Sequence, residues 1–187
     1  MGWRTVLTLS ITVLLALAGY AATYLNNLRL AQRRERLERI NRQLRELYGP
    51  LFALVRASNS AWAAFRSIYR PVGSFWGKQP TPNEEEAAAW RLWMTEVFMP
   101  LNEEMVQVVQ DHADLLEETE MPECLISLSA HVFAYKPVLK AWEAGNYSRY
   151  TSVNKFPTAE LVEYTSRHYV GLKAKQAEIL GKSAYVA

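Results

Sequence analysis

A run of residues without a charged side chain, from Thr5 to Leu28, constrains this chain more than any other feature of its sequence. An α-helix rises about 1.5 Å per residue, so about 20 residues of this kind cross the ~30 Å hydrocarbon core of a membrane. Trp3 lies at one end of the run and Tyr24 near the other, where aromatic rings favour the headgroup interface. The run therefore predicts a transmembrane anchor over residues 1–28.

Two other structures could explain the same run. A helix buried in a protein core is normally shorter than this. A cleavable signal peptide has more support, because Arg4 forms a short basic region and Gly19-Tyr20-Ala21 resembles a small-residue cleavage site. The residues that follow argue against cleavage, since seven arginines lie between Arg29 and Arg45 and dense positive charge resists translocation. We therefore predict an uncleaved anchor.

The same arginines predict the orientation of the chain. They outweigh Arg4 on the other flank, and positively charged flanks stay on the cytoplasmic side. The chain lacks a second apolar run of 18 residues, so it should cross once. The prediction is a single-pass inner-membrane protein of a bacterial cell, with its amino terminus outside and most of the chain in the cytoplasm.

Small side chains form a stripe along the anchor at helical spacing. Such stripes let membrane helices approach closely and exchange hydroxyl hydrogen bonds, although small residues are also simply common in membrane helices. The stripe predicts packing against a membrane protein or a second copy of the chain through Thr5, Thr8, Thr12, Ala16, Gly19 and Thr23.

Residues 29–48 form a basic, amphipathic neck that should continue the anchor helix. Leu30, Leu37 and Leu44 recur every seven residues, with Ile40 and Leu47 in the complementary positions. This seam has three possible partners: the protein's own body, a second copy in a short coiled coil, or another protein. Anionic lipid headgroups are the predicted partners of Arg29, Arg33, Arg34 and Arg36.

The body, residues 49–187, predicts an all-α fold of four helices in a kinked, bundle-like domain, because apolar residues recur at helical spacing throughout. Gly49-Pro50 should end or bend the neck helix, and Pro100 and Pro137 should kink later helices. Thr81 and Glu84 predict the start of the second helix of the body. Its buried face is predicted to contain Trp90, Met94, Val97, Leu101, Met105, Val108 and His112.

The sequence contains no pattern typical of an enzyme, a metal site or a cofactor site. Di-metal helical bundles need Glu-x-x-His pairs, but Val109, Leu128 and Thr165 stand three residues before the three histidines. The single cysteine, Cys124, excludes an internal disulfide, and we expect it to be a small buried side chain rather than a nucleophile. We predict a protein that is not an enzyme and holds neither cofactor nor metal.

Charge is distributed unevenly along the chain. Residues 26–45 carry a net charge of +5, whereas residues 84–123 carry twelve acidic side chains and one basic one, net −11. Because the body is acidic, nucleic acid is excluded as a partner. Phe75 and Trp76 lie in a loop rich in turn residues, which predicts a contact surface for another protein.

These features favour a membrane-anchored interaction or scaffold protein, an accessory subunit of a larger inner-membrane complex. The alternative is a sensor or regulator that binds a small apolar ligand inside its aromatic-rich helical bundle.

Overall fold

The computed structural model describes residues 2–69 and 82–181, without the side chains of residues 4–6 and 8–11. Every element in these ranges is helical, which confirms the all-α prediction. The elements are α1 (Trp3–Arg42), a π-helical stretch (Gln43–Tyr48), α2 (Gly49–Tyr69), α3 (Glu84–Trp93), a second π-helical stretch (Met94–Phe98), α4 (Met99–Asp111), a 3-10 turn (Ala113–Leu115), α5 (Glu123–Glu143) and α6 (Thr158–Ile179).

The chain divides into two compact units, and the first comprises the residues up to Asn41 together with those from Gln176 onward. Within it, the side-chain amide of Gln176 donates to Oδ1 of Asn41 at 2.6 Å, and the Arg33 guanidinium donates to the carbonyl of Ile179. Apolar side chains of α1 such as Leu14 and Leu25 are exposed.

No helix within the described residues is long and apolar enough to span a membrane. The predicted anchor run includes residues 5, 6 and 8–11, whose side chains lie outside that description.

The second unit, Arg42–Lys175, contains the hydrophobic core. In it α2 packs against α3 and α4, and α4 packs against α5. Each helix presents one apolar face inward, as a half-exposed amphipathic helix should. Side chains buried almost completely include Leu47, Tyr48, Leu51, Phe65, Met99, Met105, Leu125, Leu128, Tyr135, Leu161 and Leu172.

The predicted helix break at Gly49-Pro50 is a π-helical turn instead. A proline has no N–H to donate, and its ring collides with the carbonyl four residues earlier. The turn before Pro50 widens, so that the Gly49 N–H donates to the carbonyl of Leu44, five residues back. A π-helical turn of the same kind precedes Pro100, where the Met99 N–H donates to the carbonyl of Met94. The helical path therefore continues past both prolines.

The second π-helical stretch changes which face of α4 is buried. A π-turn contains one residue more than an α-turn, so the helix that follows is displaced by one position in the pattern of burial. Val97, Leu101 and Val108 were predicted to be buried and are only half-buried. Their successors are buried instead: Phe98, Asn102 and Val109.

The start of α3 also differs from the sequence prediction. There the capping residue is Asn83, which accepts from the Glu86 N–H, while the Glu86 carboxylate accepts from the Asn83 N–H. The capping box predicted at Thr81 and Glu84 is therefore wrong by two positions; Thr81 itself lies outside the described residues. At the ends of α5 and α6, Gly145 (φ 74°) and Gly181 (φ 68°) adopt the left-handed conformation that terminates helices.

Candidate functional site

A cavity of about 530 Å³ lies within the second unit, between α2, α3, α4, α5 and the α5–α6 connection (residues 144–157). Its size falls in the range of small-molecule sites, which is about 300–1,000 Å³. Aromatic and apolar side chains form much of the lining: Trp62, Trp90, Met94, Phe98, Tyr135 and Phe156.

The aromatic wall of the cavity is held in edge-to-face contacts. The Trp62 ring lies 6.0 Å from the Trp90 ring at 81° and 6.0 Å from the Phe98 ring at 65°. Behind it, Phe65 is fully buried, with its ring centroid 5.6 Å from that of Trp62. Aromatic pairs prefer this geometry and separation, so the wall is preorganised rather than collapsible.

The α5–α6 connection is held against the helices by side-chain donors that bind its backbone carbonyls. The Trp90 indole N–H at 2.7 Å and the Tyr135 hydroxyl at 2.9 Å both donate to the carbonyl of Tyr150. The Trp142 indole N–H donates to the carbonyl of Arg149 at 2.7 Å. A segment without secondary structure is thereby held in one place as a wall of the cavity.

His131 completes this set of contacts and is itself buried, with 6% of its surface exposed. Its Nδ1 lies 2.8 Å from the carbonyl of Asn154, and since a carbonyl only accepts, Nδ1 carries the proton. Burial lowers the pKa of His131, and the hydrogen bond to Asn154 offsets part of that effect. The ring is therefore neutral near pH 7.

Among the described lining residues, Asn102 alone has a buried side-chain atom without a hydrogen-bond partner. Its exposed fraction is 3%, and its Oδ1 has no hydrogen-bond donor among the described residues. Leaving a buried acceptor unpaired costs about 1–3 kcal/mol. The sequence pattern missed Asn102 because the π-helical stretch before Pro100 turns it inward; that proline was the available signal, since prolines inside helices often accompany such turns.

A second polar cluster joins α6 to the segment after α4. Nδ1 of His168 lies 3.0 Å from Glu117, and Nε2 lies 3.0 Å from Glu118 without the alignment of a hydrogen bond. The ring stacks on Tyr48 with centroids 4.8 Å apart. Burial alone would raise the pKa of Glu117, but hydrogen bonds from Lys175 and His168 outweigh it and hold that pKa below its usual value.

This cluster connects α6 to the segment after α4 but provides no centre for a metal ion. Within the part of the chain that the structure describes, no group of three or more His, Cys, Asp or Glu side chains could hold one. Cys124 is half-buried, and burial raises the pKa of its thiol, an effect that backbone hydrogen bonds only partly offset. The reactive thiolate is therefore disfavoured.

The residues predicted to pack the anchor lie on α1. The side chains of Thr5 and Thr8 lie outside the described residues. Exposed positions are occupied by Thr12, Ala16, Gly19 and Thr23. The Thr23 hydroxyl donates to the carbonyl of Gly19 at 2.9 Å, and among the described residues a Gly19 Cβ would meet no atom within 4 Å beyond its chain neighbours and its own helix backbone.

The predicted neck and partner contacts are only partly described. Ile40 is buried and Leu37 and Leu44 are half-buried, so the partner of this seam stays a prediction. Phe75 and Trp76 lie outside the described residues. The basic side chains predicted to contact lipid headgroups are exposed: Arg29, Arg33, Arg34 and Arg36.

No protein-family model matches the chain, and neither a curated protein nor a solved structure is significantly similar to it. The function proposed below therefore rests on the residues and the geometry already described.

Proposed function

We propose that this chain is a membrane-anchored helical protein that binds a small, mostly apolar ligand in its second unit and acts as a sensor or regulator. The observation that carries the proposal is the 530 Å³ cavity with its aromatic wall. Ligand sites are typically concave, largely apolar and preformed, with a few polar groups that set orientation. The edge-to-face packing around Trp62 and the tethered α5–α6 connection supply the preformed shape.

The chemistry of the lining supports binding without catalysis. Aspartate, glutamate and cysteine are all missing from the described lining residues, so the cavity offers neither a carboxylate nor a thiolate. His131 is held neutral by burial, and its Nδ1 proton is engaged by the Asn154 carbonyl. General acid–base catalysis needs a group that is free to exchange a proton with the substrate.

The anchor part of the proposal rests on the sequence. The uncharged run from Thr5 to Leu28, followed by the seven arginines of residues 29–45, is typical of a single span with a cytoplasmic body. Apolar side chains exposed on α1 would then contact lipid, including Val13, Leu14, Leu15 and Leu17. Apolar ligands partition into membranes, so an anchored binding unit would meet them at high local concentration.

Native mass spectrometry of the full chain, extracted in a mild detergent, tests the proposal. We expect a bound small molecule that is lost in Ser58→Leu, because Ser58 is buried and lines the cavity. Ser60→Leu is the matched control, since Ser60 is exposed on the same helix. A protein that carries no bound molecule in any of the three forms would contradict ligand binding.

A second candidate function is an accessory subunit of a larger inner-membrane complex, or a homodimer, assembled through α1. The specific observation is the exposed small-residue stripe: Thr12, Ala16, Gly19 and Thr23 lie along one helical face, and the space beside Gly19 is open. Small side chains of this kind allow backbones to approach closely in lipid.

Filling the stripe tests this candidate. Thr12→Leu with Gly19→Leu should weaken association in membranes by about 1–2 kcal/mol, measured by crosslinking and by co-purification of a stoichiometric partner. Ala18→Leu with Ala21→Leu adds similar volume to the opposite side of the helix and should leave association unchanged. Unchanged crosslinking in the first pair would mean that the stripe faces lipid.

A further inference from the structure

We infer that Nε2 of His131 is the recognition point of the cavity, and that the ligand is a neutral, mostly apolar molecule with a hydroxyl or N–H group that donates to this nitrogen. This inference rests on the proposed ligand-binding function and gives the chemical class of the ligand.

The folded chain uses only one of the two nitrogens of His131. Within the described residues the ring forms one hydrogen bond, from Nδ1 to the carbonyl of Asn154. The described side-chain atoms that are both enclosed and unpaired are Nη1 of Arg91, Oδ1 of Asn102 and Nε2 of His168. Nε2 of His131 also lacks a partner but is not one of these enclosed atoms, so it is accessible from the cavity that His131 lines.

The ring is held so that Nε2 can only accept a hydrogen bond. Its position is fixed by the bond to Asn154 and by edge-to-face contact with Phe156, whose ring centroid lies 5.4 Å away at 77°. Because Nδ1 carries the proton, Nε2 presents a lone pair. Burial lowers the pKa of His131, so this nitrogen accepts a hydrogen bond from a hydroxyl, whose own pKa is near 10 in a phenol, without removing the proton.

An accessible acceptor of this kind selects a ligand that donates. A ligand that enters the cavity displaces water from Nε2, and affinity is lost when the displaced water's hydrogen bond is not replaced. The indole N–H of Trp90 and the hydroxyl of Tyr135 already donate to the carbonyl of Tyr150. A hydroxyl or N–H on the ligand therefore replaces the bond at Nε2, whereas a group with lone pairs only would be repelled there.

The charge of the lining selects a neutral molecule. A cationic ligand would leave water without a counter-charge, because no aspartate or glutamate is among the described lining residues. Among them the only side chain that carries a full charge at neutral pH is Lys155, which is exposed. Desolvating an unpaired charge costs far more than burying a neutral polar group.

The helical side of the cavity selects an apolar body for the rest of the ligand. Met94 and Phe98 line it from the two ends of the second π-helical stretch, and both are buried. Phe156 lines it from the α5–α6 connection. Removing apolar ligand surface from water against these side chains is favourable.

Two probes that differ by a single donor test the inference. 4-Propylphenol and 4-propyltoluene share an apolar body and are similar in size, and only the phenol carries an O–H. Titration calorimetry of the full chain in lipid nanodiscs gives both dissociation constants, after the heat of empty nanodiscs is subtracted. Comparing their ratio between the wild type and variants removes the unequal partition of the probes into lipid.

His131→Asn removes the acceptor and keeps the bond to the connection. The asparagine amide can donate to the Asn154 carbonyl in place of Nδ1, but it is too short to place an oxygen where Nε2 lies. We expect the relative affinity for the phenol to fall about fivefold, the size expected for one net hydrogen bond. The matched control His112→Asn, at a histidine that is not among the described lining residues, should leave the ratio unchanged.

A measurement on the wild type keeps the inference testable if His131→Asn does not fold. In protein labelled with ¹⁵N at its three histidines, the Nε2 signal of one ring should move further with 4-propylphenol than with 4-propyltoluene. Nε2 signals that respond equally to both bound probes would contradict a hydrogen bond to His131.

The possible failures point to different errors. An unchanged ratio in folded His131→Asn would overturn recognition by His131 while upholding ligand binding. Tighter binding of 4-propylbenzoate than of 4-propylphenol, lost in Lys155→Met, would overturn the neutral class. If neither probe binds the wild type, the inference fails; a bound molecule in the native mass spectrum would then uphold the proposed function alone, and its absence would contradict both.

Discussion

Gly49 shows what a single residue without a side chain does for this fold. A Cβ at this position would lie 2.2 Å from the backbone carbonyl oxygen of Leu44, the atom to which the Gly49 N–H donates across the π-turn. We expect Gly49→Ala to lower the free energy of unfolding by about 1–3 kcal/mol, the usual cost of overpacking, because a backbone atom cannot move aside. Thermal or denaturant unfolding followed by circular dichroism measures the loss.

Gly171 provides the matched control for that substitution. It lies inside α6, and within the described part of the chain its Cβ would meet no atom within 4 Å beyond its neighbours and its own helix backbone. Gly171→Ala should therefore stabilise the protein by roughly 0.5–1 kcal/mol through the lower entropy of the unfolded chain. Equal effects of the two substitutions would contradict the tight contact assigned to Gly49.

His131 predicts a pH dependence of stability. Burial lowers its pKa in the folded protein, whereas in the unfolded chain the pKa is about 6.5. As the pH falls below about 6.5, His131 binds a proton in the unfolded chain but not in the folded protein. The free energy of unfolding therefore decreases until the pH passes the folded-state pKa. Unfolding free energies measured between pH 7.5 and 5 should show this decrease.

The variant His131→Gln removes the titrating group and should flatten the curve in that pH range. Glu117 contributes in a separate range, because its pKa is lowered: its contribution is present above the unfolded value of about 4.3 and is lost as the pH falls through the folded value. A decrease below pH 6.5 that persists in His131→Gln would contradict the assignment to His131.

At the level of secondary-structure elements, the α5–α6 connection depends most clearly on contacts from other parts of the chain. It has no backbone ladder of its own, and its position depends on donors from α3 and α5. The aromatic donors Trp90, Tyr135 and Trp142 bind part-buried backbone carbonyls of this segment, which elsewhere would be bound within a sheet or a helix. The cavity has a fixed wall only while these bonds hold.

Two substitutions distinguish a carbonyl that is bound by two side-chain donors from a carbonyl that is bound by one. Tyr135→Phe leaves the Tyr150 carbonyl bound to Trp90, so we expect a loss of only about 0.5–1.5 kcal/mol in unfolding free energy. Trp142→Phe leaves the Arg149 carbonyl without its donor and removes ring volume, so it should cost more. Hydrogen exchange of residues 144–157 should accelerate more in Trp142→Phe, and the reverse order would contradict these roles.

At the scale of the whole molecule, the distribution of charge supports the proposed membrane topology. The net charge of +5 over residues 26–45 lies directly after the uncharged run, while residues 84–123 carry net −11. An acidic surface is repelled by anionic lipid, and a basic neck is attracted to it at about 1 kcal/mol per side chain near the surface. The two segments therefore favour an anchored chain whose acidic part stays away from the bilayer.

Cysteine labelling of intact bacterial cells tests that topology. On a Cys124→Ala background, a reporter introduced as Lys140→Cys should resist a membrane-impermeant maleimide until the cells are opened, and its exposed position makes it reactive afterwards. The matched reporter Gly2→Cys should label in intact cells, because the amino terminus is proposed to lie outside. Labelling of the first reporter in intact cells would contradict a cytoplasmic body.

Much of the helical architecture was determined by local sequence patterns. The apolar spacing of the body predicted its helices, and Pro50 and Pro100 marked the two places where the helical path changes. These signals are local: each depends on the conformations open to a few neighbouring residues and on one amphipathic face. Trp90 and Met94 were likewise predicted on the buried face of their helix, and both line the cavity.

The tertiary structure alone decided which side chains meet at the site. The π-turn before Pro100 displaces burial on α4 by one residue, which brings Phe98 and Asn102 inward in place of Val97 and Leu101. Whether a helix widens or kinks at a proline depends on how its continuation packs, and a pattern of 3.6 residues per turn carries no information about that choice. Phe156 reaches the cavity only because distant donors hold the α5–α6 connection, and such contacts exist only once the chain has folded.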